Sequence, residues 1–319
     1  NKISGGGFGL KVKDRLINRK EVFIVTLPDD PNSWKSLDKS ILFNPKIKII
    51  VCGGDGTINW VVTMLSDYYG KDKDCFRPPI SVIPLGTGND LSNMLGWGSS
   101  FELINLPFID NKVNTIIQKD HISKNLDVWR VTINDESDEN KEVTMLNYFS
   151  IGIDANIAKE FAEKREKSPQ LFSSHIASKL MYIPISLSTN DKKFLIDYLN
   201  GYYIDKNDSQ IELQLEKSSK TFVCQAITKI YGGKDLWRSN DRAVDDGMFE
   251  IIQTGGVFHL AVNQMGIKDS TNVANAKKVY LNTSESVVYQ VDGEPFTTNG
   301  ASTIIIERIG SYPMLFANG

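Results

Sequence analysis

Two glycine-rich stretches of the chain each combine a tight turn with an acidic residue. The first, "CGGDGT", covers residues 52–57, and the second, "PLGTGND", covers residues 84–90. A glycine turn that leads into a helix presents backbone N–H groups at the positive end of the helix dipole, and both features bind phosphate. Glycine permits the tight turn and leaves room for the phosphate itself. The two stretches therefore predict a phosphate-binding site.

The aspartates of these stretches, Asp55 and Asp90, do not fit a simple anion site. A carboxylate beside a phosphate is unfavourable unless a metal ion offsets its charge or the carboxylate takes up a proton during a reaction. This favours Mg²⁺-nucleotide chemistry over plain dinucleotide binding. The alternative is that Asp55 or Asp90 only caps a helix. Neither stretch is a P-loop, because the lysine of G-x-x-x-x-G-K-[ST] is absent.

The hydrophobic pattern predicts the elements that carry the two turns. Residues 46–54, "KIKIIVCGG", form a nearly continuous apolar run that is typical of a buried parallel strand, and a second strand is expected at 80–84. After the first turn, Ile58, Val62 and Leu65 lie on one face of a helix. Two strand–turn–helix units in series predict an α/β domain with an open, mostly parallel sheet, helices on both faces and both turns at one edge.

The pattern changes from about residue 127, where short strand candidates such as "IELQLEK" and "STIIIERI" are separated by polar turns. This second part is predicted to be a β-rich antiparallel sandwich or barrel. One helical segment, at about 155–182, interrupts it. The expected domains are therefore 1–126 and 127–319, and the last residues can return to the first domain.

Composition narrows the class of protein. Lys plus Arg number 36 against 39 for Asp plus Glu, a net charge of −3, so there is no overall basic field for nucleic acid. Cys52, Cys75 and Cys224 are too far apart to suggest a disulfide framework or a zinc site, which favours a reducing, cytoplasmic location. No apolar run approaches the ~18 residues of a membrane-spanning helix. A membrane substrate would be reached from the aqueous side.

Six motifs occur in an order that resembles the catalytic region of eukaryotic diacylglycerol kinases. They are "GGDGT", "PLGTGNDLSNMLGWG", "LNYFSIGIDA", "YGGKDLW", "DDGMFE" and "QVDGEPF". The "GGDGT" motif alone is similar in sphingosine, ceramide, bacterial lipid and NAD kinases, whereas its combination with the others points to diacylglycerol. The resemblance implies an α/β nucleotide domain, a β-rich second domain and an active site in the cleft between them. It also implies that the strand normally preceding the first glycine turn, "NKISGG", is missing from this sequence.

The resemblance assigns roles to individual residues. The expected cradle for the ATP phosphates consists of Ser4, Gly5, Gly6, Gly53, Gly54, Gly56, Thr57, Gly86, Thr87, Gly88 and Asn89. Asp90 is expected to act in catalysis through a metal or water network. Asp246, with Asp245 beside it, resembles the magnesium-linked acidic site of the family.

Two residues are candidates for the general base. Glu294 in "QVDGEPF" matches the position proposed as general base in similar bacterial lipid kinases, whereas the sphingosine branch gives that role to the residue matching Asp55. Either carboxylate can accept the proton of a lipid hydroxyl, and the choice stays open at this point. The alternative for Glu294 is a simple hairpin position next to a turn with Gly293 at its tip.

The resemblance implies an ATP- and Mg²⁺-dependent lipid kinase that phosphorylates the free hydroxyl of 1,2-diacylglycerol to give phosphatidic acid. Its expected partner is the lipid at a membrane surface, so the expected location is cytoplasmic with peripheral membrane association. One alternative is a related kinase acting on a sphingoid base or a ceramide-type lipid. A second alternative is a catalytically weak nucleotide- or lipid-binding module. Departures from the family pattern at Lys2, Ile3 and Ala226 favour it.

Overall fold

The computed structural model divides the chain into two compact units. It describes residues 1–36, 43–69, 76–101, 103–137, 140–168, 193–237, 242–255 and 270–317. The first unit contains the described residues of Asn1–Asn125 together with the chain end from Tyr312, and the second contains the described residues between Leu126 and Ser311.

The first unit is an α/β structure. Its helices are α1 (Ser4–Leu16), α2 (Asp55–Tyr69), α3 (Asp90–Met94) and α4 (Ile109–Gln118), with short 3₁₀ helices at Ser33–Ser36 and Leu103–Phe108. Strands β1 (Ile49–Gly53) and β2 (Ile80–Pro84) pair in parallel over their whole length. Both strands therefore end at the same edge of the sheet, as the pattern predicts, and α2 and α3 begin directly after the two turns. Helices α1 and α2 pack against β1, and α3 packs against β2.

The apolar stripe of α2 explains why this helix forms where it does. Ile58, Val62 and Leu65 are all buried, and they recur at the spacing of one helical face. In α1, by contrast, the first residues are not regular helix, because Gly5, Gly6 and Gly7 have φ angles of 62°, 65° and 91°. Glycine adopts this left-handed conformation without the steric cost that a Cβ brings.

The second unit is a two-layer β structure. Its strands are β3 (Ser123–Asn134), β4 (Lys141–Met145), β5 (Tyr148–Gly152), β6 (Leu199–Ile204), β7 (Gln210–Glu212), β8 (Thr221–Gln225), β9 (Phe249–Thr254), β10 (Ser270–Ala276), β11 (Lys278–Thr283), β12 (Val288–Val291), β13 (Glu294–Thr297) and β14 (Ser302–Leu315). One sheet runs β14-β11-β6-β7, with β3 paired to both β14 and β4. The other runs β10-β9-β8-β5-β12-β13, and every neighbouring pair in it is antiparallel.

The two sheets share one hydrophobic core, so this unit is a sandwich and the barrel alternative is wrong. Phe149 and Phe222 of one sheet and Val279 and Ile304 of the other belong to the same buried cluster. Among the described strands neither sheet closes on itself. One sheet has β10 and β13 at its two ends, and the other has β7 at one end. Burying both apolar faces against each other satisfies the hydrophobic pattern without closure.

One helix interrupts the strands of the second unit. Helix α5 covers Ile153–Lys167, and a short 3₁₀ helix follows at Leu195–Asp197. The sequence predicts a helical segment that extends to about 182, but residues 169–192 lie outside the described residues. Cys75 also lies outside them, whereas Cys52 and Cys224 are free thiols. No helix in the described ranges is both long and apolar enough to cross a membrane.

Candidate active site

The two predicted glycine turns touch each other through their backbones. A Cβ added to Gly86 would lie 2.4 Å from the Cα of Gly54, and a Cβ added to Gly54 would lie 2.9 Å from the Cα of Gly86. The N–H of Asp55 donates to the carbonyl of Gly88 at 3.1 Å, which ties the second turn to the start of α2. Only glycine fits at Gly54 and Gly86, because any side chain would collide with the facing backbone.

The first turn of the chain joins the same surface. A Cβ on Gly5 would lie 2.9 Å from the carbonyl oxygen of Leu85, next to the second turn. Gly5, Gly6, Gly56 and Gly88 are all solvent-exposed. A Cβ on Gly56 would meet no atom within 4 Å, so the space above this residue is open. The three turns thus form one exposed, glycine-lined backbone surface in the first unit, which we call the glycine surface.

Asp55 lies buried beneath the glycine surface. Its carboxylate accepts the backbone N–H groups of Asp90 at 2.9 Å and Leu91 at 3.3 Å, the first two residues of α3. A negative charge at this position interacts favourably with the helix dipole. Asp55 therefore does cap a helix, namely α3 and not α2, which Asp55 itself begins. Its expected role in catalysis stays a prediction. Asp90 is buried as well, at the start of α3.

The polar side chains of the two turns hold the backbone in place. The amide nitrogen of Asn89 donates to the carbonyl oxygens of Gly86 at 2.7 Å and Ser99 at 2.9 Å. Its oxygen, Oδ1, is buried and has no hydrogen-bond partner among the described residues. Thr57 is buried, and its hydroxyl accepts a hydrogen bond from the side chain of Asn1 at 3.2 Å. These contacts preserve the shape of the glycine surface.

The predicted acidic pair lies in a turn of the second unit. Asp245 and Asp246 are both exposed, and Asp246 Oδ1 accepts the N–H of Met248 at 2.9 Å. The following Gly247 has a φ of 75° and donates its N–H to Asp127 Oδ2 at 2.7 Å. Asp127, in β3, therefore holds this turn, although it lies in none of the six motifs. An acid inside the apolar run "LDVW" is the signal that could have found it.

Two further carboxyl groups, Asp127 and Glu250, lie close enough to Asp246 for its charge to raise their pKa values. Burial raises the pKa of Asp127 and the nearby charge of Asp246 adds to this rise, whereas the hydrogen bond from Arg308 at 2.5 Å opposes it. Burial also raises the pKa of Glu250 from its usual 4.5 to about 7, with Arg242 opposing and Asp246 reinforcing the rise. A cation near this turn would lower both pKa values, because it would favour the ionised carboxylates.

The described residues bring no three His, Cys, Asp or Glu side chains together in a way that could hold a metal ion by themselves. The exposed carboxylates of Asp245 and Asp246 are nevertheless the oxygen donors that Mg²⁺ prefers. In nucleotide sites Mg²⁺ commonly uses one or two carboxylates and completes its shell with water and phosphate oxygens. The residues present fit such a site, and their role as metal ligands stays a prediction.

Glu294 lies at the start of β13, directly after a two-residue hairpin turn. The turn residues Asp292 and Gly293 have φ angles of 52° and 87°, which are typical of a type I′ turn. The hairpin is therefore present, and the side chain of Glu294 is 58% exposed, with Oε1 4.0 Å from Nη2 of Arg165. The role of Glu294 as general base stays a prediction. Next to it is an open cavity of about 480 Å³, whose lining residues are Lys159, Ala162, Glu163, Arg165, Glu166 and Pro295.

Asp292 connects this hairpin to the start of β5. Its carboxylate accepts three backbone N–H groups, those of Leu146 at 2.9 Å, Asn147 at 2.8 Å and Tyr148 at 3.0 Å. In the sequence, Asp292 stands out only as part of the motif "QVDGEPF". The dipeptide Asp-Gly is the strongest short-range hairpin signal, but a sequence does not show which distant N–H groups such a carboxylate accepts.

The structure thus brings the predicted glycines and both predicted acids of the first unit together at one edge of the sheet. Asp245, Asp246 and Glu294 belong to the second unit. That these residues meet the glycine surface in one active site stays a prediction.

Two family models match the chain. The model described as the diacylglycerol kinase catalytic domain matches residues 1–122, and the one described as the diacylglycerol kinase accessory domain matches residues 144–295. Together they cover most of both units.

Curated relatives include diacylglycerol kinase 2 of Arabidopsis thaliana, which is 30% identical over 315 residues and aligns with 93% of this chain and 42% of its own length. Diacylglycerol kinase theta of Mus musculus is 28% identical over 317 residues, with 91% of this chain and 31% of its own length aligned. The chain therefore spans about two fifths or less of the length of these relatives.

Two solved structures from Bacillus anthracis, whose names suggest diacylglycerol kinases, have a similar fold. One is 18% identical, with a TM-score of 0.60, and the match covers 99% of this chain and 94% of the other. The second is 20% identical, with a TM-score of 0.52 and coverage of 84% and 77%. At this identity the likeness concerns the fold alone.

Proposed function

Because the chain belongs to the diacylglycerol kinase family, we propose that it is an ATP-dependent lipid kinase acting on 1,2-diacylglycerol. In the proposed reaction, the free hydroxyl oxygen of the lipid forms a bond to the γ-phosphorus of ATP. The bond from that phosphorus to the β–γ bridging oxygen breaks, ADP leaves, and the hydroxyl proton passes to a carboxylate. The product is phosphatidic acid.

The observation that carries this proposal is the glycine surface with Asp55 buried beneath it. Exposed glycines let phosphate oxygens approach backbone N–H groups more closely than any side chain would allow. The collisions expected for a Cβ at Gly54 and Gly86 show that the fold itself also requires glycine at these positions. We expect the ATP phosphates to lie against Gly56 and Gly88, which are exposed.

The proposed proton acceptor is Glu294. Both carboxylate oxygens of Asp55 already accept backbone N–H groups of α3, whereas the carboxylate of Glu294 is mostly exposed beside an open cavity. A general base must come within hydrogen-bond reach of the proton that it takes, and an exposed carboxylate can do so. In this assignment Asp55 keeps α3 and the second glycine turn in position.

Asp245 and Asp246 are the residues that would hold magnesium. Bound Mg²⁺ would neutralise part of the charge on the phosphate oxygens. The hydrogen bond from Gly247 to Asp127 would keep the two carboxylates at the exposed side of their turn. Arg308 in turn donates a hydrogen bond to Asp127.

The test is transfer of labelled γ-phosphate from Mg-ATP to diacylglycerol in mixed micelles, measured for the wild type, Glu294→Gln and Asp55→Asn. We expect Glu294→Gln to lower kcat by about 10²–10⁴-fold, the usual contribution of a general base. Its melting temperature should stay unchanged, because the side chain is exposed. Asp55→Asn should lower both kcat and stability, the latter by about 1 kcal/mol for a weakened cap.

Asp205→Asn is a matched control, because this carboxylate also accepts backbone N–H groups, those of Asn207 and Ser209, in a distant turn. It should retain wild-type transfer. Absence of transfer by the wild type, with ATP binding intact, would contradict the proposal and favour a binding module. Preferred transfer to a sphingoid base or ceramide at equal surface concentration would contradict the proposed acceptor.

A further inference from the structure

The turn before Glu294 is connected to helix α5 by three buried polar side chains. The N–H of Gly293 donates to Oε1 of Gln290 at 2.6 Å. Nε2 of Gln290 donates to the hydroxyl of Ser150 at 2.9 Å, and that hydroxyl donates to Oδ2 of Asp154 at 2.6 Å. Gln290 and Ser150 are fully buried, and Asp154 is 3% exposed. We call Gln290, Ser150 and Asp154 the buried relay.

The donor and acceptor roles in the buried relay determine one another. An ionised carboxylate only accepts, so the single hydroxyl proton of Ser150 is used on Asp154. The oxygen of Ser150 then accepts from the amide nitrogen of Gln290, which places the amide oxygen of Gln290 toward the N–H of Gly293. Burial raises the pKa of Asp154, and the hydrogen bonds from Ser150, Tyr231 and Gln290 oppose this rise by favouring the carboxylate.

The relay holds the hairpin through a different backbone group from those that Asp292 binds. Asp292 binds the turn to the N–H groups that begin at Leu146, and Gln290 binds the N–H of Gly293 from within β12. An apolar side chain at position 290 would leave the Gly293 N–H without this partner. Since Gly293 directly precedes Glu294, a shift of this peptide moves the base of the Glu294 side chain.

We propose that Gln290 is a positioning residue for Glu294, and that Ser150 and Asp154 orient its amide. The inference rests on the proposed role of Glu294 as proton acceptor. Gln290 touches neither substrate nor cofactor in this proposal. It fixes the Gly293 peptide, so that the Glu294 carboxylate stays within hydrogen-bond reach of the lipid hydroxyl. A misplacement of about 1 Å at a reacting group can lower a rate by about 10²-fold.

The experiment compares Gln290→Met with Gln253→Met in the protein as it is naturally produced. Gln253 is the matched control, because it is also a buried glutamine with hydrogen bonds to distant residues. Its Oε1 accepts the N–H of Glu216 at 3.0 Å and the hydroxyl of Ser219 at 2.9 Å. We expect Gln290→Met to lower kcat by about 10- to 10²-fold without changing KM for ATP. Gln253→Met should lower the melting temperature similarly but leave kcat within about twofold.

A double-mutant cycle separates positioning from a general structural effect. If Gln290 acts through Glu294, then Gln290→Met should change kcat by less than about twofold in a Glu294→Gln background. Ser150→Ala, which removes one hydroxyl and leaves little space, should lower kcat in the same direction by a smaller factor. This variant provides the test if Gln290→Met does not fold.

Three results would overturn the inference. The first is a fall in kcat for Gln290→Met no larger than that for Gln253→Met. The second is a full additional fall in the Glu294→Gln background. The third is wild-type kcat for Glu294→Gln alone, which would also remove the proposed role of Glu294 while leaving the kinase activity intact. The first two results leave the proposed role of Glu294 intact. A failure of the inference about Gln290 is therefore distinguishable from a failure of the proposed role of Glu294.

Discussion

At the scale of single residues, Glu250 carries an unusual electrostatic load. It is buried, Nη1 of Arg242 lies 3.5 Å from its Oε2, and Arg242 also pairs with Asp235 at 2.6 Å. The guanidinium is thus shared between two acids, and the charge of Asp246 lies close by. This explains why burial raises the pKa of Glu250 to about 7 in spite of the cation. The folded protein therefore binds a proton at Glu250 more tightly than the unfolded chain does.

The sign of the resulting pH dependence follows from linkage. Between pH 4.5 and about 7 the folded state holds more protons at Glu250 than the unfolded state, so stability falls as pH rises across this window. At 1.36 kcal/mol per pKa unit, the loss is on the order of 3 kcal/mol. Glu250→Gln cannot ionise. The unfolding free energy of the wild type relative to this variant should therefore decrease from pH 4.5 to 7, measured by urea unfolding at several pH values.

Glu307→Gln provides the opposite case. Hydrogen bonds from Lys278 and Arg130 lower the pKa of Glu307, so its stabilising contribution is lost only as pH falls below its usual range. The difference between wild type and Glu307→Gln should stay constant between pH 5 and 8. A difference for Glu250→Gln that is equally constant over this range would show that Glu250 titrates normally.

At the scale of elements, the glycine surface contains glycines that the fold requires and glycines that only the proposed phosphate site would require. Gly56 lies in α2, has open space where a Cβ would be, and does not have a left-handed φ. Gly56→Ala should therefore raise the unfolding free energy by about 0.4–1 kcal/mol. If phosphates approach this residue, the same change should raise KM for ATP about tenfold, equivalent to ~1.4 kcal/mol of binding free energy. Urea unfolding and kinase assays measure the two effects.

Gly86→Ala is the matched comparison. Its new Cβ would lie 2.4 Å from the Cα of Gly54, so the backbone must move. We expect a loss of about 1–3 kcal/mol of stability, the usual cost of overpacking. A Gly56→Ala variant with unchanged KM for ATP would argue against phosphate binding at that position, and a fully stable Gly86→Ala variant would argue against the backbone contact.

Local patterns predict the elements that carry the glycine surface. The strand expected at 80–84 is observed as Ile80–Pro84, and the predicted face of α2 is buried. In both cases the signal lies within a few residues of chain. The stretch "IELQLEK" is a weaker case, because β7 ends at Glu212 and leaves Ile211 38% exposed. As an end strand with one partner, β7 leaves Ile211 partly exposed, whereas Leu213, just beyond its end, is buried in the sandwich core.

The supporting polar residues could not be predicted in the same way, because their partners are far away in the sequence. Asp127 accepts a hydrogen bond from Arg308, and Gln290 donates to Ser150. Nothing in the local pattern of "LDVW" or "VYQV" identifies such partners. A buried polar residue in an apolar strand predicts only that some partner exists. The resemblance to a family identified the motifs but not the contacts that hold them.

At the scale of the whole molecule, the first unit is built from two distant segments of chain. Met314, near the end of β14, pairs in parallel with Ile80 of β2. The indole nitrogen of Trp97 donates to the carbonyl of Leu315 at 2.7 Å, and the N–H of Ala317 donates to the carbonyl of Leu95 at 2.8 Å. The segment that follows the second glycine turn is thus held by the chain end. The α/β unit therefore depends on residues 314–317, which lie far along the chain from its other elements.

Met314→Ala tests this dependence. Met314 is fully buried, so its truncation should cost about 2–5 kcal/mol, and the loss should fall on the first unit. Met145→Ala is the control, because Met145 is equally buried but belongs to the core of the sandwich. Hydrogen exchange should show reduced protection of β1 and β2 amides in Met314→Ala, and of sandwich strands such as β5 and β8 in Met145→Ala. Met314→Ala could instead weaken the sandwich and leave β2 protected. This result would show that the segment around Met314 is not part of the core of the first unit, and residues 1–125 should then fold without that segment.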